Sequence, residues 1–162
     1  MTVSRNRPGV ILASASSGGT LAAVRELASR GISVSVVSSS SLAAAAWSSR
    51  ADHVYRAPRE CESEPFLDHL MQIGAADPGQ VLLATSDVTA WLYTTHAKTL
   101  ERHFRTYQAP LDTITSLLDK AKLADLAQRA GLTVLPTIVP RGLNEVIALA
   151  QRSTYPLSLI HI

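Results

Sequence analysis

The sequence predicts an α/β protein built on a Rossmann-like open parallel sheet, and three observations support this. Val10 to Ala13 is a short apolar run, typical of a buried strand. Leu21 to Arg30 follows with a helical pattern that stops at Gly31, and the β-branched run Ile32 to Val37 then indicates a second strand. A strand, a helix and a strand in succession form a βαβ unit, whose right-handed crossover makes the two strands parallel.

Two more strands are expected to extend this sheet. His53 to Arg56 predicts a third strand, after a serine- and alanine-rich loop with a short helix at Ser38 to Ser49. Ser63 is a good capping residue for a helix from Glu64 to Ile73. Val81 to Ala84 has the apolar character of a central strand.

A polar segment follows the strand at Val81 to Ala84. It reads Thr85-Ser86-Asp87, and a helix is expected to begin at about Val88 with Trp91 turned inward. In a parallel sheet, this segment lies at the same edge as the loop after the first strand.

The pattern changes after Phe104, where Tyr107 to Pro110 interrupts it. The boundary between two units is therefore placed between Phe104 and Asp112. Beyond it the sequence predicts a short helix capped by Asp112, a helix from Lys120 to Ala130, a strand at Thr137 to Val139 and a helix from Asn144 to Gln151.

Composition limits the function classes. The 162 residues hold one full domain and the start of another, and 46% hydrophobic with 17% charged residues is ordinary for a folded α/β protein. A net charge of +2 is too small to indicate a nucleic-acid or anionic-membrane partner. A single cysteine, Cys61, excludes an internal disulfide, and no run reaches the roughly 20 apolar residues of a membrane helix. The predicted location is the cytoplasm.

The loop after the first strand is the first candidate site. It reads SASSGGT from Ser14 to Thr20, where Ser17 offers a hydroxyl and Gly18 and Gly19 let the backbone approach a ligand. A tight turn with no ligand explains the same composition equally well. The loop lacks the G-x-G-x-x-G fingerprint, which disfavours NAD binding.

Asp87 is the second candidate, at the end of the fourth predicted strand. It is placed to hold a substrate amine or to cap the following helix, and capping is slightly favoured because aspartate is among the best capping residues.

Other catalytic patterns are missing from the sequence. The five histidines have no metal-site spacing, and there is no G-x-S-x-G elbow and no Walker loop. Cys61 lies between Glu60 and Glu62, whose charges disfavour a reactive thiolate. The sequence therefore predicts no catalytic residue and no metal ligand in this chain.

Lys120 is the third candidate, within LLDKAKLADLAQRAGLTVLPT from Leu117 to Thr137. A lysine in the first turn of a helix opposes the helix dipole, and a bound phosphate would remove that conflict. Alternatively, Lys120 is a solvent-facing side chain neutralised by Asp119.

The order of these features resembles the ATP-grasp ligases, in the carbamoyl-phosphate-synthase-like and amino-acid ligase branches. The likeness rests on the Val10 strand with SASSGGT, on VLLATSD at Val81 to Asp87, and on the Asp119-Lys120 stretch. It implies a preATP-grasp domain, a helical linker and an ATP-grasp domain. The implied reaction uses ATP and Mg²⁺ to phosphorylate a small-molecule carboxylate, and an amine or thiol then attacks the acyl phosphate.

The same resemblance implies roles for the candidate residues. Lys120 would contact ATP phosphates, while Ser17, Gly18, Gly19 and Asp87 would face the substrate.

The sequence departs from the family at its end. No lysine follows Lys122, whereas the family carries a second ATP-contacting lysine after Tyr155-Pro156. The expected organisation is a preATP-grasp domain at 1–106, a linker and the beginning of the ATP-grasp domain at 107–156, and a non-native tail at 157–162. Such a fragment is expected to be inactive. The alternatives are a stand-alone Rossmann-like binding or regulatory module and, less favoured, an NADP-type oxidoreductase.

Overall fold

The chain divides into two compact units, Met1–Leu111 and Asp112–Ile162. A computed structural model describes residues 7–158. The elements of the first unit are β1 (Val10–Leu12), α1 (Gly18–Ser29), β2 (Val34–Ser38), β3 (His53–Arg56), α2 (Ser63–Ala76), β4 (Val81–Leu83), α3 (Asp87–Thr95), α4 (Ala97–Leu100) and β5 (Arg105–Thr106). Three helices follow, α5 (Leu111–Leu118), α6 (Lys120–Arg129) and α7 (Leu143–Arg152).

The five strands form one parallel sheet in the order β3-β2-β1-β4-β5. Val10 at the start of β1 is in register with Val34 of β2 on one side and Val81 of β4 on the other. This confirms the predicted fold class. The central strand β1 is buried on both faces, which explains its continuous apolar run.

Each face of the sheet has its own hydrophobic core, because successive side chains on a strand point to opposite faces. Ile11 packs with Leu70 of α2 and with residues of α3 and α4. Val10 and Leu12 pack with Val24 of α1 on the other face. The result is three layers, helix, sheet and helix, which hold the carboxyl ends of the strands in fixed positions.

The second unit lacks such a core in its described part. Helices α5, α6 and α7 contain no buried residue, although each has an apolar stripe. Leu143 is 74% exposed and Ile147 is 51% exposed.

Some predicted elements differ from the structure. Thr137 to Val139 is not a strand, and residues 132–140 have no regular structure, because no neighbouring strand pairs with them in the part of the chain that the structure describes. Helix α1 begins at Gly18, so the two glycines lie in its first turn and not in the preceding loop.

Three local predictions were also wrong. The N-cap of α2 is Glu62 instead of Ser63. The segment Ser38 to Ser49 contains the last residue of β2 followed by turns, and no helix. Trp91 is 44% exposed and does not point into the core.

Two further predictions concern membrane-spanning helices and the end of the chain. None of the helices within residues 7–158 combines the length and the apolar character needed to cross a membrane. Of the tail predicted at 157–162, residues 159–162 lie outside the described residues.

Candidate functional site

The strand order creates a crevice between the carboxyl ends of β1 and β4. From β1 the chain proceeds to β2 and β3 on one side, while β4 and β5 lie on the other side. Helix α1 packs on one face of the sheet and α3 on the opposite face. Open parallel sheets bind ligands at this kind of reversal, because the connecting segments diverge there.

A network of hydroxyl groups joins the two strand ends at this crevice. The Oγ atoms of Ser14 and Ser86 are 2.8 Å apart, and the Oγ1 atoms of Thr20 and Thr85 are 2.7 Å apart. The Thr85 hydroxyl also donates to the carbonyl oxygen of Ala13 at 3.0 Å. The network fixes the segment after β1 against the segment after β4.

Ser14 has a strained backbone. Its φ is +53°, in the left-handed region that non-glycine residues seldom occupy. Its N–H donates to Oε1 of Glu60 at 2.8 Å, and its hydroxyl lies 2.8 Å from that of Ser86. Strain of this kind costs about 1–3 kcal/mol and is typical of ligand-binding segments.

A cavity of about 200 Å³ opens beside Ser14. It lies between the loop that leads into α1, the end of β2 and the segment before α2. Its lining consists of Ser14, Ala15, Ser16, Ser17, Ser38, Ser39 and Glu60. We call this the carboxyl-edge cavity.

The carboxyl-edge cavity has a positive and a negative side. Ser17 is the N-cap of α1, but its side chain accepts no capping hydrogen bond. The N–H groups of Gly18, Gly19 and Thr20 therefore have no acceptor within residues 7–158, and they add to the positive end of the helix dipole. The Glu60 carboxylate supplies the negative side. The arrangement suits a small ligand that carries both a carboxylate and an ammonium group.

The two glycines of α1 are not required by packing. A Cβ on Gly18 would have no heavy atom within 4 Å, and one on Gly19 would lie 3.6 Å from Ser17 Oγ. Both residues are exposed. Glycine weakens a helix by roughly 0.5–1 kcal/mol relative to alanine. These residues leave the backbone accessible, which would allow a ligand to approach it.

Asp87 lies near the crevice but not in the cavity lining. It is the first residue of α3 and is exposed. The preferred interpretation of Asp87 as the cap was wrong, since Ser86 is the N-cap and its hydroxyl accepts the N–H of Thr89 at 3.2 Å. Thr89 completes a reciprocal capping box, which leaves the Asp87 carboxylate free of that task.

A buried phenol lies in the core of the first unit, on the face of the sheet that α2 and α3 cover. The Tyr93 side chain is fully buried in the core, and its hydroxyl has no hydrogen-bond partner within residues 7–158. Burial, followed by the negative charge of Glu60, raises the pKa of Tyr93. Tyr93 therefore stays neutral.

Lys120 belongs to the second unit, where it is the first residue of α6. The cap is Asp119, whose Oδ1 accepts the N–H of Ala121 at 2.9 Å. Asp119 forms its ion pair with Lys122, at 3.4 Å, and not with Lys120. Within the described residues, the ammonium group of Lys120 has no ion-pair or hydrogen-bond partner.

Desolvation raises the pKa of Asp119, but hydrogen bonds and the Lys122 charge outweigh it. The N–H groups of Ala121 and Lys122 and the Lys122 ammonium group together hold this pKa below its ordinary value.

Sequence reasoning missed Glu60 as a site residue, because it considered Glu60 only as a neighbour of Cys61. The available signal was its position between β3 and α2, at the same carboxyl edge as SASSGGT. Within residues 7–158 no group of three or more histidine, cysteine, aspartate or glutamate side chains is placed to hold a metal ion.

Comparison with known proteins places this geometry in context. No protein-family model matches the chain, and no curated protein matches its sequence. Solved structures do match. The L-amino acid ligase from Bacillus licheniformis superposes with a TM-score of 0.55 at 15% identity, over 79% of this chain and 31% of that chain.

Two biotin carboxylase domains are also similar. One, from a single-chain bacterial carboxylase, has a TM-score of 0.56 at 20% identity, over 90% of this chain and 34% of its own. The other, from the 2-oxoglutarate carboxylase of Hydrogenobacter thermophilus, was solved with MgADP, ADP and bicarbonate. It has a TM-score of 0.56 at 17% identity, over 91% of this chain and 33% of its own.

The chain therefore shares the fold of a part of these ligase and carboxylase structures. It spans about a third of the length of these structures. The hydroxyl network lies at the sheet reversal of the first unit, and the carboxyl-edge cavity lies beside it, at the carboxyl ends of β1 and β2.

Proposed function

We propose that this chain is the N-terminal, substrate-side part of an ATP-dependent carboxylate–amine or carboxylate–thiol ligase that acts through an acyl phosphate. The observation that carries the proposal is the carboxyl-edge cavity of a preATP-grasp fold, with the open N-terminus of α1 facing Glu60. The structural likeness to an L-amino acid ligase supports a substrate that carries a carboxylate.

The cavity suits an amino acid in one orientation. The free N–H groups of Gly18 and Gly19 would donate hydrogen bonds to the carboxylate, because helix N-termini bind anions. Glu60 would hold the ammonium group, since a second oxygen of its carboxylate is not used by the Ser14 N–H. Ser17 would add a hydroxyl contact, and the exposed Asp87 would lie beside the ligand at the end of β4.

The proposed reaction uses ATP and Mg²⁺, and the proposed contact to ATP lies in the second unit. The Lys120 ammonium is placed at a helix start without a partner in the described residues, which fits a contact to ATP phosphates. ATP with Mg²⁺ would supply the phosphoryl group that activates the carboxylate. The described residues offer no magnesium ligands, so none is assigned and no step is derived through the metal.

We assign residues 1–106 to a preATP-grasp domain, residues 107–156 to a linker and the start of an ATP-grasp domain, and residues 157–162 to a non-native tail. The absence of buried residues in α5 to α7 supports a second unit that needs further protein to cover its apolar stripes. This chain by itself is then inactive. The free, exposed Cys61 fits the proposed cytoplasmic location.

The experiment is to extend the reading frame beyond Ile162 in the source DNA and to assay the longer product. We expect ADP formation that depends on an amino acid and Mg²⁺, and none from the present chain. In the longer product, Lys120→Ala should raise the KM for ATP about tenfold or more, because it removes a charge-assisted contact.

Lys122→Ala is the matched control, because its ammonium is already paired with Asp119. A reading frame that stops at Ile162 would contradict the ligase proposal and favour a stand-alone binding or regulatory module. Equal effects of the two lysine substitutions would remove the role given to Lys120.

A further inference from the structure

A second cavity lies in the first unit, away from the carboxyl edge of the sheet. It measures about 450 Å³ and lies between the second half of α1 and the loop from β2 to β3. The N–H of Asp52, at the end of that loop, donates to the carbonyl of Val34 at the start of β2. This places the cavity beside the amino ends of the strands, and we call it the amino-edge cavity. Its lining is Arg25, Ser29, Trp47, Ser48, Ser49 and Arg50.

The lining of the amino-edge cavity carries two positive charges and no negative charge. Arg25 and Arg50 are exposed, and neither guanidinium forms an ion pair with any residue from 7 to 158. The acidic residues nearest to them in the sequence have other partners, since Glu26 pairs with Arg30 and the Asp52 carboxylate accepts hydrogen bonds from Ser33 and Val34. Unneutralised arginines in a concave site favour a phosphate, whose oxygens match the guanidinium fork.

Trp47 gives the cavity a flat apolar surface. Its side chain is 73% exposed, which is unfavourable for so large an apolar ring. The indole N–H donates to the carbonyl of Ser41, and the backbone N–H donates to the carbonyl of Ala43 at 3.3 Å. Ala43 is buried in the core, so the loop holds the ring outward in a defined position. A fixed, exposed indole is suited to stack on a planar ring.

We propose that the amino-edge cavity binds a nucleoside phosphate, with the base stacked on Trp47 and the phosphate held by Arg25 and Arg50. The serine hydroxyls of the lining supply donors and acceptors for the ribose and the phosphate. The volume of about 450 Å³ is within the range of small-molecule sites. The cavity is lined by residues of the first unit alone and shares none with the carboxyl-edge cavity, so this inference does not depend on the ligase proposal.

The test is fluorescence titration of the full chain in a Trp91→Phe background, where Trp47 is the one remaining tryptophan. AMP, adenosine and inorganic phosphate are titrated separately at physiological ionic strength. We expect saturable quenching by AMP, with weaker binding of adenosine and of phosphate. Arg25→Ala and Arg50→Ala should each weaken AMP binding about tenfold or more, since each removes a charged hydrogen-bond donor.

Arg102→Ala is the matched control, because Arg102 is an exposed arginine of the first unit that forms no ion pair within residues 7–158 and does not line the cavity. It should leave AMP binding unchanged, and circular dichroism checks that all variants fold. A Trp47→Phe variant, measured by calorimetry, should retain more AMP affinity than Trp47→Ala. The proposal is overturned if AMP gives no saturable change at millimolar concentration or if all three arginine variants lose affinity equally. It is also overturned if a single-stranded oligonucleotide binds more tightly than AMP.

Discussion

The two units of this chain differ in how they use apolar side chains. The first unit encloses two cores, one on each face of the sheet, whereas α5 to α7 of the second unit have amphipathic patterns but bury no residue. The contrast shows that an amphipathic pattern is enough to place a helix but does not by itself stabilise it. Stability in proteins comes mainly from packing of the apolar face, so the same substitution should act differently in the two units.

The largest effect is expected from matched leucine truncations in the two units. Leu70 of α2 is fully buried, while Leu143 of α7 is 74% exposed. Leu70→Ala should lower the free energy of unfolding by about 2–5 kcal/mol, because it leaves a cavity in the core. Leu143→Ala should change it by less than about 0.5 kcal/mol. Urea unfolding measures both, and equal losses would contradict the contrast between the units.

Two glycines, one in each unit, differ in the space around their Cα atoms. A Cβ on Gly74 of α2 would lie 2.6 Å from Cζ of Phe104 and 2.7 Å from Cβ of His103. Gly74→Ala should therefore destabilise the first unit by about 1–3 kcal/mol through overpacking. Gly142→Ala in the second unit, where a Cβ has no neighbour within 4 Å, should cost less than about 1 kcal/mol, because it meets no clash and loses only the preference for glycine over alanine at the N-cap of α7. Thermal unfolding of both variants checks the difference, and a Gly74→Ala variant as stable as the parent would show that α2 can move away.

The buried phenol of the first unit predicts a gain in stability. Tyr93→Phe removes a hydroxyl that has no hydrogen-bond partner in the described residues, and it keeps the ring that fills the core. The free energy of unfolding should rise by about 1 kcal/mol, since an unsatisfied buried donor is costly. Tyr55→Phe, at a half-buried ring, is the control and should have little effect. A loss of stability in Tyr93→Phe would mean that the hydroxyl makes a hydrogen bond in solution.

Gly19→Ala separates stability from binding in the first unit. The added Cβ has room, so the substitution should stabilise α1 by roughly 0.5–1 kcal/mol. It should also weaken amino-acid binding, because the methyl group covers the helix N-terminus. Denaturant unfolding and calorimetric titration give the two quantities. Unchanged binding would remove the role proposed for the glycine.

The smallest expected effect is the pH dependence of helicity in the second unit, where α6 has the Asp119 cap but no buried residue. The pKa of Asp119 is lower in the folded state than in the unfolded state. The ionised carboxylate therefore stabilises α6 fully above the unfolded pKa, and this stabilisation is lost as the pH falls through the folded pKa. Helicity measured by circular dichroism should therefore fall in acid. Asp119→Asn keeps a capping side chain but cannot titrate, and its helicity should lose that part of the pH dependence. An identical pH profile in both would contradict the role of the Asp119 charge.

The sequence predicts the first unit better than the second, because the elements of the first unit pack on one another and those of the second bury no residue in its described part. The strand at His53 to Arg56 is placed as predicted, and the apolar run at Val81 is a central strand. Thr137 to Val139 has the composition of a strand, but a strand needs a partner, and a local pattern cannot supply one. Strand β5 has only two residues, Arg105 and Thr106, and has no apolar run that could reveal it.

The site was less predictable than the fold. Ser17 of SASSGGT does line the carboxyl-edge cavity, and Lys120 does begin a helix. Glu60 was missed because a hydrogen bond across 46 residues to Ser14 depends on tertiary structure. Ser86, and not Asp87, caps α3. The helix begins one residue earlier than predicted, and Thr89 then forms the reciprocal capping box with Ser86.

Calorimetric titration of the chain with L-amino acids, and with the corresponding carboxylic acids that lack the amine, tests the proposed substrate site. We expect saturable binding of an amino acid at the carboxyl-edge cavity and weaker binding of its deaminated form. Glu60→Gln, which can still accept the Ser14 N–H, should weaken amino-acid binding about tenfold or more by removing the partner of the ammonium group. Glu62→Gln, an exposed neighbour outside the cavity, should bind as the parent does. Equal affinity of the parent and Glu60→Gln, or equal affinity for the amino acid and its deaminated form, would contradict the account.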